Sequence, residues 1–146
     1  MQFYSKKFDE LSLEELYELL KARQQVFLLE QGIVRADMDD IDPKAMHCFL
    51  KQDGHICACI RAHYANKDTV KIMRVLSLVR GGGVGREIMQ QTVNAIKEKM
   101  PCKRIIVDAQ ARARGYYEKM GFTVDGEEFV CDGLLHFKME LKINGK

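Results

Sequence analysis

This sequence lacks a long apolar run and an apolar leader. No segment approaches the roughly eighteen consecutive apolar residues that a membrane-spanning helix needs, although 47% of the 146 residues are apolar. The first eight residues include two lysines, where a secretory signal peptide needs an apolar stretch. We therefore expect a cytoplasmic protein that makes no contact with a membrane. The length and the apolar share suit one domain over residues 1–146 with a single core.

Excess charge of one sign and paired cysteines are also missing. The 23 basic and 21 acidic residues leave a net charge of +2, which gives no reason to expect nucleic acid as a partner. Metal ligands usually occur at short, regular spacings. The odd set of five cysteines contains no Cys-x-x-Cys pair, so we expect reduced, buried thiols and no metal site. The cysteines are Cys48, Cys57, Cys59, Cys102 and Cys131.

Four glycines, Gly81–Gly83 and Gly85, fall within five positions between an apolar run and a helical pattern. The Gly-Lys-Ser/Thr ending of a P-loop is absent, and the glycine spacing of the dinucleotide-binding fingerprint is not met. The pattern that is present is Arg80-x-x-Gly83-x-Gly85 at a strand-to-helix junction. Amides at the start of a helix bind phosphate without a lysine, and Arg80 can add a charge-assisted hydrogen bond. A flexible surface turn without a ligand is the alternative.

Hydrophobic periodicity predicts an α+β fold with antiparallel strands and one β-α-β crossover at the glycine loop. A capping box at Ser12 and Glu15 marks the start of the first helix, which should run to about Leu29. Asp53-Gly54 and Asp132-Gly133 indicate hairpin turns. An acidic irregular segment occupies residues 35–43. The other predicted elements are strands over 2–8, 47–51, 56–64, 70–79 and 104–109, helices over 86–100 and 112–120, and a closing hairpin within 122–141.

A second motif, Tyr117-Glu-Lys-Met-Gly121-Phe122, follows the last strand of the crossover. Together with Arg80-x-x-Gly83-x-Gly85 it resembles the GNAT superfamily of acetyl-CoA-dependent N-acetyltransferases, whose last helix carries Tyr-x-x-x-Gly-Phe. The predicted order of elements is similar to that family along nearly the whole chain. The resemblance implies a mixed, mostly antiparallel sheet flanked by helices.

Four further stretches resemble the ElaA-like branch of this superfamily. Each is weak alone, but the four together, in the right order, are specific. Most of the superfamily has asparagine at the position of Gln110, but glutamine is usual there in this branch. The stretches are Arg23-x-x-Val26-Phe27-x-x-Glu30-Gln31, the aspartates followed by His47, Ala109-Gln110-Ala111, and Asp132-Gly133-x-x-His136-x-x-Met139.

The resemblance implies acetyl-CoA as the acetyl donor and a set of residues that bind it. One backbone amide in the strand before the loop would stabilise an oxyanion at the thioester carbonyl, and the loop would hold the diphosphate. Tyr117 would protonate the departing thiolate, because a phenol with a pKa of ~10 is protonated at neutral pH. Its spacing to Gly121 selects Tyr117 over Tyr116. The implied coenzyme-binding residues are Leu76, Ser77, Leu78, Arg80, Gly81, Gly82, Gly83, Val84, Gly85, Arg86, Gln110 and Tyr117.

The acceptor is expected to be a primary amine of a small molecule or a peptide, bound beside the first helix. An amine must lose a proton before it attacks, and Glu30 is a candidate for that base or for a structural anchor. His47 and His136 are candidates for substrate contact, with purely structural roles as the alternative. Asp37, Asp39, Asp40 and Asp42 would form either an acidic roof that favours a cationic amine or a solvated loop.

The interval between Arg74 and Arg80 is about two residues shorter than the usual family spacing. The family has a bulge there that splays two central strands and admits pantetheine, so the presence of this bulge is left open. The alternative function is a non-catalytic acyl-CoA-binding or sensor domain. A nucleotide-binding module is disfavoured by the absent motifs, and homodimerisation is also left open.

Overall fold

In a computed structural model that describes residues 1–143, the strands form one eight-stranded sheet with helices on both faces. The strands are β1 Gln2–Lys7, β2 Met46–Gln52, β3 His55–Asn66, β4 Thr69–Ser77, β5 Arg104–Gln110, β6 Thr123–Val124, β7 Phe129–Cys131 and β8 Leu134–Lys142. The helices are α1 Leu13–Arg23, which continues as a π-helix over Gln24–Glu30, α2 Val84–Lys99 and α3 Arg114–Lys119. Short 3-10 turns cover Phe8–Glu10, Asp42–Lys44 and Ala111–Ala113.

The strands are arranged in the order β1-β2-β3-β4-β5-β8-β6, and β7 pairs with the free part of β8. Among the described strands, β4 and β5 form the parallel pair, joined by the crossover helix α2, and the other neighbours are antiparallel. The predicted α+β class with a mixed, mostly antiparallel sheet is confirmed.

Two apolar clusters lie on opposite faces of this sheet. Alternate residues of a strand point to opposite faces, and β2 shows this directly. Cys48 and Leu50 are buried in the cluster that includes α2, whereas Phe49 is buried in the cluster that includes α1. Because both faces are covered, a ligand reaches the middle of the sheet only where strands separate.

Local signals placed most helix starts correctly. The Ser12 hydroxyl accepts a hydrogen bond from the Glu15 amide at 3.0 Å, and the Glu15 carboxylate accepts one from the Ser12 amide at 2.9 Å. The first helix does extend to Glu30, but its last seven residues have π geometry, with the Gln31 amide bonded to the carbonyl of Val26. The predicted last helix is shorter than expected, because its first turn is the 3-10 turn at Ala111–Ala113.

The β4 strand carries the bulge that the sequence left open. The three residues of β3 from Cys59 to Arg61 lie opposite the four residues of β4 from Met73 to Leu76, and Arg74 has a φ of +55°. Such a bulge bends a strand away from its neighbour. Accordingly β4 pairs with β5 only over residues 69–71, and the two strands are separate beyond that point. The shortened interval before Arg80 therefore does not close the gap in the sheet.

The five cysteines are reduced. Burial raises the pKa of Cys48 and of Cys59 to about 12, so both thiols stay neutral. Within residues 1–143, no three His, Cys, Asp or Glu side chains are grouped so that they could hold a metal ion. Over the same residues, no helix has the length and hydrophobicity needed to span a membrane.

Candidate active site

A cleft of about 920 Å³ lies at the gap between β4 and β5. Its wall includes Leu20 and Phe27 from the α1 side of the sheet and Ile88 and Tyr117 from the α2 and α3 side. The cleft therefore passes through the sheet. This shape allows two ligands to meet at the gap from opposite faces.

The glycine loop lies at the head of α2, and of its residues 80–86 Gly85 is the one that lines the cleft. Gly81, Gly82 and Gly83 have φ values of +75°, +69° and +76°, and no other atom lies within 4 Å of where a Cβ would stand. The first helical hydrogen bond is donated by the Glu87 amide to the Gly83 carbonyl at 2.9 Å. The amides that precede it in the first turn are free for an anion. The loop therefore fits a diphosphate laid against the main chain.

Arg80 extends from this loop into solvent, with its side chain 94% exposed, and its guanidinium lies 3.9 Å from the carboxylate of Glu30. An exposed ion pair of this kind contributes little, so Arg80 can exchange Glu30 for a phosphate. Glu30 also accepts a hydrogen bond from Gln25 at 3.2 Å. It lies in a neighbouring depression and is not part of the cleft wall. The structure thus does not bring the two predicted catalytic residues, Glu30 and Tyr117, to one wall.

Two adjacent tyrosines have different surroundings. The Tyr116 hydroxyl donates a hydrogen bond of 2.6 Å to the carbonyl of Gly85, and burial raises the pKa of Tyr116 to about 12. Tyr117 is 5% exposed, packs edge-on against Tyr116 and Phe122, and lines the cleft. Burial, together with Tyr116 nearby, raises the pKa of Tyr117. Within residues 1–143 the Tyr117 hydroxyl has no hydrogen-bond partner, so of the pair it is the one free to bind a ligand.

The end of β4 presents one residue's backbone to the gap. The Leu78 amide donates to the Cys57 carbonyl of β3 at 2.7 Å, and Leu76 pairs with Cys59. Antiparallel strands alternate between residues that bond to one neighbour and residues that point away from it. Ser77 therefore directs its backbone groups away from β3 and towards the gap. Of the three predicted strand residues, Ser77 can offer an amide there, whereas the Leu78 amide is already bonded.

Gln110 links the end of β5 to the end of the π-helix. Its amide nitrogen donates to the Gln31 side chain at 3.0 Å, and its oxygen accepts a hydrogen bond from Arg112 at 2.9 Å. All three side chains line the cleft. The network fixes the rim of the cleft at the point where β5 ends.

The two candidate histidines occupy different places. His136 lines the cleft, is 9% exposed and stacks on Phe129, with Nδ1 2.9 Å from the carbonyl oxygen of Leu134. His47 is 2% exposed, with Nε2 2.9 Å from the carbonyl of Asp42, and it is not part of the cleft wall. Burial lowers the pKa of His47. The structure therefore gives His47 a role in anchoring the acidic segment and leaves His136 at the site.

Sequence reasoning missed an arrangement that we call the ionic ring, in which three arginines and three aspartates alternate. Each aspartate bonds to two arginines, so the ring closes and carries no net charge. The signal in the sequence was that Arg61 and Arg74 each lie between two apolar residues within a predicted strand. The pairs are Arg23–Asp37 at 2.9 Å, Asp37–Arg74 at 2.8 Å, Arg74–Asp39 at 3.3 Å, Asp39–Arg61 at 2.8 Å, Arg61–Asp42 at 3.0 Å and Asp42–Arg23 at 2.9 Å.

The ionic ring corrects both interpretations of the acidic segment. Burial alone would raise the pKa of Asp39, but its hydrogen bonds and charge contacts with Arg61, supported by Arg74, lower it to about 2. Asp37 and Asp42 each contact two arginines as well. The three aspartates are thus paired with arginines, and are neither free to bind a cationic amine nor part of a fully solvated loop, although Asp37 and Asp39 remain partly exposed. Asp40 lies outside the ring and is exposed.

A gap between two central strands, a glycine loop at the head of the crossover helix and a tyrosine on the cleft wall are together typical of acyl-coenzyme A-dependent acyltransferases. The chain belongs to the GNAT family, since residues 10–143 match the family model described as "Acetyltransferase (GNAT) domain". The predicted resemblance is confirmed, and the protein is an N-acetyltransferase of this family, whose members use acetyl-CoA or CoA.

Individual relatives agree with this assignment. The chain is 30% identical to Protein ElaA of Escherichia coli over 140 residues, which is 92% of each chain. The crystal structure of Escherichia coli ElaA and that of an acyl-CoA N-acyltransferase from Pseudomonas aeruginosa each align at a TM-score of 0.90 and 28% identity, covering 97% of this chain and 99% of theirs. An aminoglycoside 6'-N-acetyltransferase complexed with coenzyme A shares the fold, at a TM-score of 0.77 and 10% identity, with 98% of each chain covered.

Proposed function

We propose that this protein transfers an acetyl group from acetyl-CoA directly to a primary amine, with Tyr117 as the general acid. The observation that carries the proposal is the free Tyr117 hydroxyl in the wall of a cleft that passes through the sheet. A non-catalytic acyl-CoA-binding domain would have no use for such a group. When bound, acetyl-CoA supplies the acetyl group as a reactive thioester.

The donor binds on the α2 side of the gap. The loop Gly81–Arg86 holds the diphosphate with its amides, and Arg80 turns from Glu30 to a phosphate oxygen. The Ser77 amide lies where a donor can stabilise negative charge on the thioester carbonyl oxygen. Gln110 borders the pantetheine arm at the end of β5. Glu30 acts in this proposal as an anchor for Arg80 while the site is empty.

Tyr117 acts on the leaving group. Its raised pKa keeps the phenol protonated throughout the neutral range, so it can donate a hydrogen bond, and finally its proton, to the sulfur. A thiolate released into this apolar wall would be poorly solvated. The phenol therefore stabilises the leaving sulfur at the moment when the carbon–sulfur bond breaks.

The acceptor enters from the α1 side of the sheet. Apolar side chains such as Leu20, Phe27 and Met73 line that part of the cleft, and the ionic ring beside it is neutral. The wall thus offers no uncompensated cluster of carboxylates for a polyamine. It suits a primary amine on a compact, partly apolar small molecule or peptide.

A thermal-shift titration with acetyl-CoA, CoA, ATP and NAD tests the donor half of this proposal. A ligand that binds only the folded state adds about 2.7 kcal/mol of stability at a hundred times its dissociation constant. We expect acetyl-CoA and CoA to raise the melting temperature and ATP and NAD to leave it unchanged. The absence of a shift with millimolar acetyl-CoA would refute the proposal. Release of free thiol from acetyl-CoA in the presence of primary amines would exclude the non-catalytic alternative.

A further inference from the structure

We propose that His136 is the general base of this enzyme and takes the proton of the acceptor amine on its Nε2 atom. The inference rests on the proposed function and assigns a residue to the half of the reaction that Tyr117 does not serve. Its support is the fixed orientation of the ring, its place on the cleft wall, and the pairing of the carboxylates that line the cleft.

The hydrogen bond to Leu134 determines which ring nitrogen is the base. A carbonyl oxygen only accepts, so Nδ1, at 2.9 Å from it, must carry a hydrogen. In the neutral ring the lone pair is then on Nε2. That atom has no hydrogen-bond partner within residues 1–143, and the side chain lines the cleft. The ring is held further by stacking on Phe129, with 5.5 Å between the ring centroids.

The register of the sheet places His136 and Tyr117 on opposite faces of the sheet, and both line the cleft. His136 on β8 pairs with Gln110 on β5, and paired residues point to the same face. The residue before Gln110, Ala109, is buried in the cluster on the α2 side, so Gln110 and His136 point to the α1 side. Tyr117 approaches from the α2 side. A base on the acceptor side and an acid on the donor side are what acetyl transfer to an amine requires.

The carboxylates that share the cleft are already paired. Asp108 lies 2.9 Å from Lys71, Asp132 lies 3.2 Å from Arg35, and Asp37 belongs to the ionic ring. Glu30 is outside the cleft wall. The other titratable and charged residues on the cleft wall are Tyr17, Lys21, Arg23, Arg35, Asp37, Lys71, Arg74, Asp108, Arg112, Tyr116, Tyr117, Cys131 and Asp132.

The step balances without a further reactant. A bond forms between the nitrogen of the neutral amine and the acetyl carbon, and the bond from that carbon to sulfur breaks with its electron pair leaving on sulfur. One proton passes from nitrogen to Nε2 of His136, and the phenolic proton of Tyr117 passes to sulfur. His136 then loses its proton to solvent and Tyr117 regains one. The products are an amide and a thiol.

The first test is the tautomer of His136 in the protein alone. A two-bond ¹⁵N–¹H spectrum of the imidazole rings should show Nδ1 protonated and Nε2 unprotonated at alkaline pH. The signal is assigned by its absence in His136→Asn, whose side-chain amide retains a donor for the Leu134 carbonyl. A ring that carries its hydrogen on Nε2 would overturn the proposal.

The second test compares rates of thiol release from acetyl-CoA for His136→Asn and His55→Asn. His55 is exposed, pairs with Glu18 and is not part of the cleft wall, so its variant should match the wild type. With the best amine of a panel, or with water as the nucleophile, we expect His136→Asn to be slower by about 10²-fold or more. In the wild type, the acid limb of the pH profile should have the same midpoint as the His136 signal in the NMR spectrum, whichever acceptor is used. The variant should lack this limb.

Coenzyme binding separates the two proposals. If His136→Asn binds CoA like the wild type and keeps the full rate and the acid limb, the base assignment is wrong while the proposed function stands. If the wild type itself neither binds CoA nor releases thiol, both fail. Normal CoA affinity with a slow rate that lacks this acid limb supports the assignment.

Discussion

Removal of one arginine from the ionic ring should destabilise the whole domain. Arg61 is 2% exposed and bonds to both Asp39 and Asp42 at 2.8–3.0 Å. Arg61→Met retains the apolar stem of the side chain and removes its charged guanidinium group. The ring then carries a net charge of −1 in a largely buried place, although Asp39 still bonds to Arg74 and Asp42 to Arg23.

The size of the loss follows from those remaining bonds. Breaking a buried ion pair by removing one partner costs about 3–5 kcal/mol. Each aspartate here keeps a second arginine, so we expect the lower end, about 3 kcal/mol. For a chain of 146 residues, the usual unfolding entropy converts this to a drop in melting temperature of about 10 °C.

Urea unfolding of the variant and the wild type gives the free energy directly. Glu118→Gln is the matched control, because it breaks the exposed Arg114–Glu118 pair on α3, for which we expect a loss of only about 0.3–0.5 kcal/mol. If Arg61→Met loses less than about 1 kcal/mol, the aspartates form a solvated loop after all and the reasoning fails.

Three other outcomes are expected. Tyr117→Phe should slow acetyl transfer by about 10²-fold or more with nearly unchanged CoA affinity by calorimetry; full activity at every pH would exclude the general-acid role. Gly83→Val should abolish CoA binding, whereas Gly54→Val, with a similar φ of +81° in a hairpin turn, should lose similar stability and still bind; normal binding by Gly83→Val would mean that the loop is not the diphosphate site. Burial alone would raise the pKa of Glu15, but hydrogen bonds to Ser12, Lys51 and Lys6 lower it to about 2 from 4.5. Its contribution to stability is therefore complete above pH 4.5 and is lost as the pH falls to about 2; unfolding free energies should show this in the wild type and lack it in Glu15→Gln.

The elements that the sequence predicted well depend on neighbours along the chain. The Ser12–Glu15 capping box joins residues three positions apart, and the Asp53-Gly54 and Asp132-Gly133 turns are two residues long, with both residues of each turn at positive φ. Gly121 ends the last helix at a φ of +98°, as a C-terminal glycine cap should. Short-range steric and hydrogen-bonding rules are sufficient for such features. The motifs Arg80-x-x-Gly83-x-Gly85 and Tyr117 to Phe122 were recognisable for the same reason.

The features that the sequence did not predict join distant residues. Arg23 and Asp37 are 14 positions apart, and Arg74 and Asp37 are 37 apart. The sequence therefore showed the acidic segment but not which arginines pair with it. The displacement of Glu30 from the cleft wall depends on where the π-helix ends against the rest of the fold.

Composition and local sequence patterns were thus enough to predict an α+β domain, its glycine loop and its tyrosine motif, because each of these features depends on residues that are close together in the chain. The bulge at Arg74, the backbone of Ser77 at the gap, the orientation of His136 and the ionic ring depend on which strands pair and in what register. Register places side chains from different strands on one face of the sheet, and it is set by packing across the whole sheet. The neutral ring and the two-sided cleft therefore exist only in the folded protein.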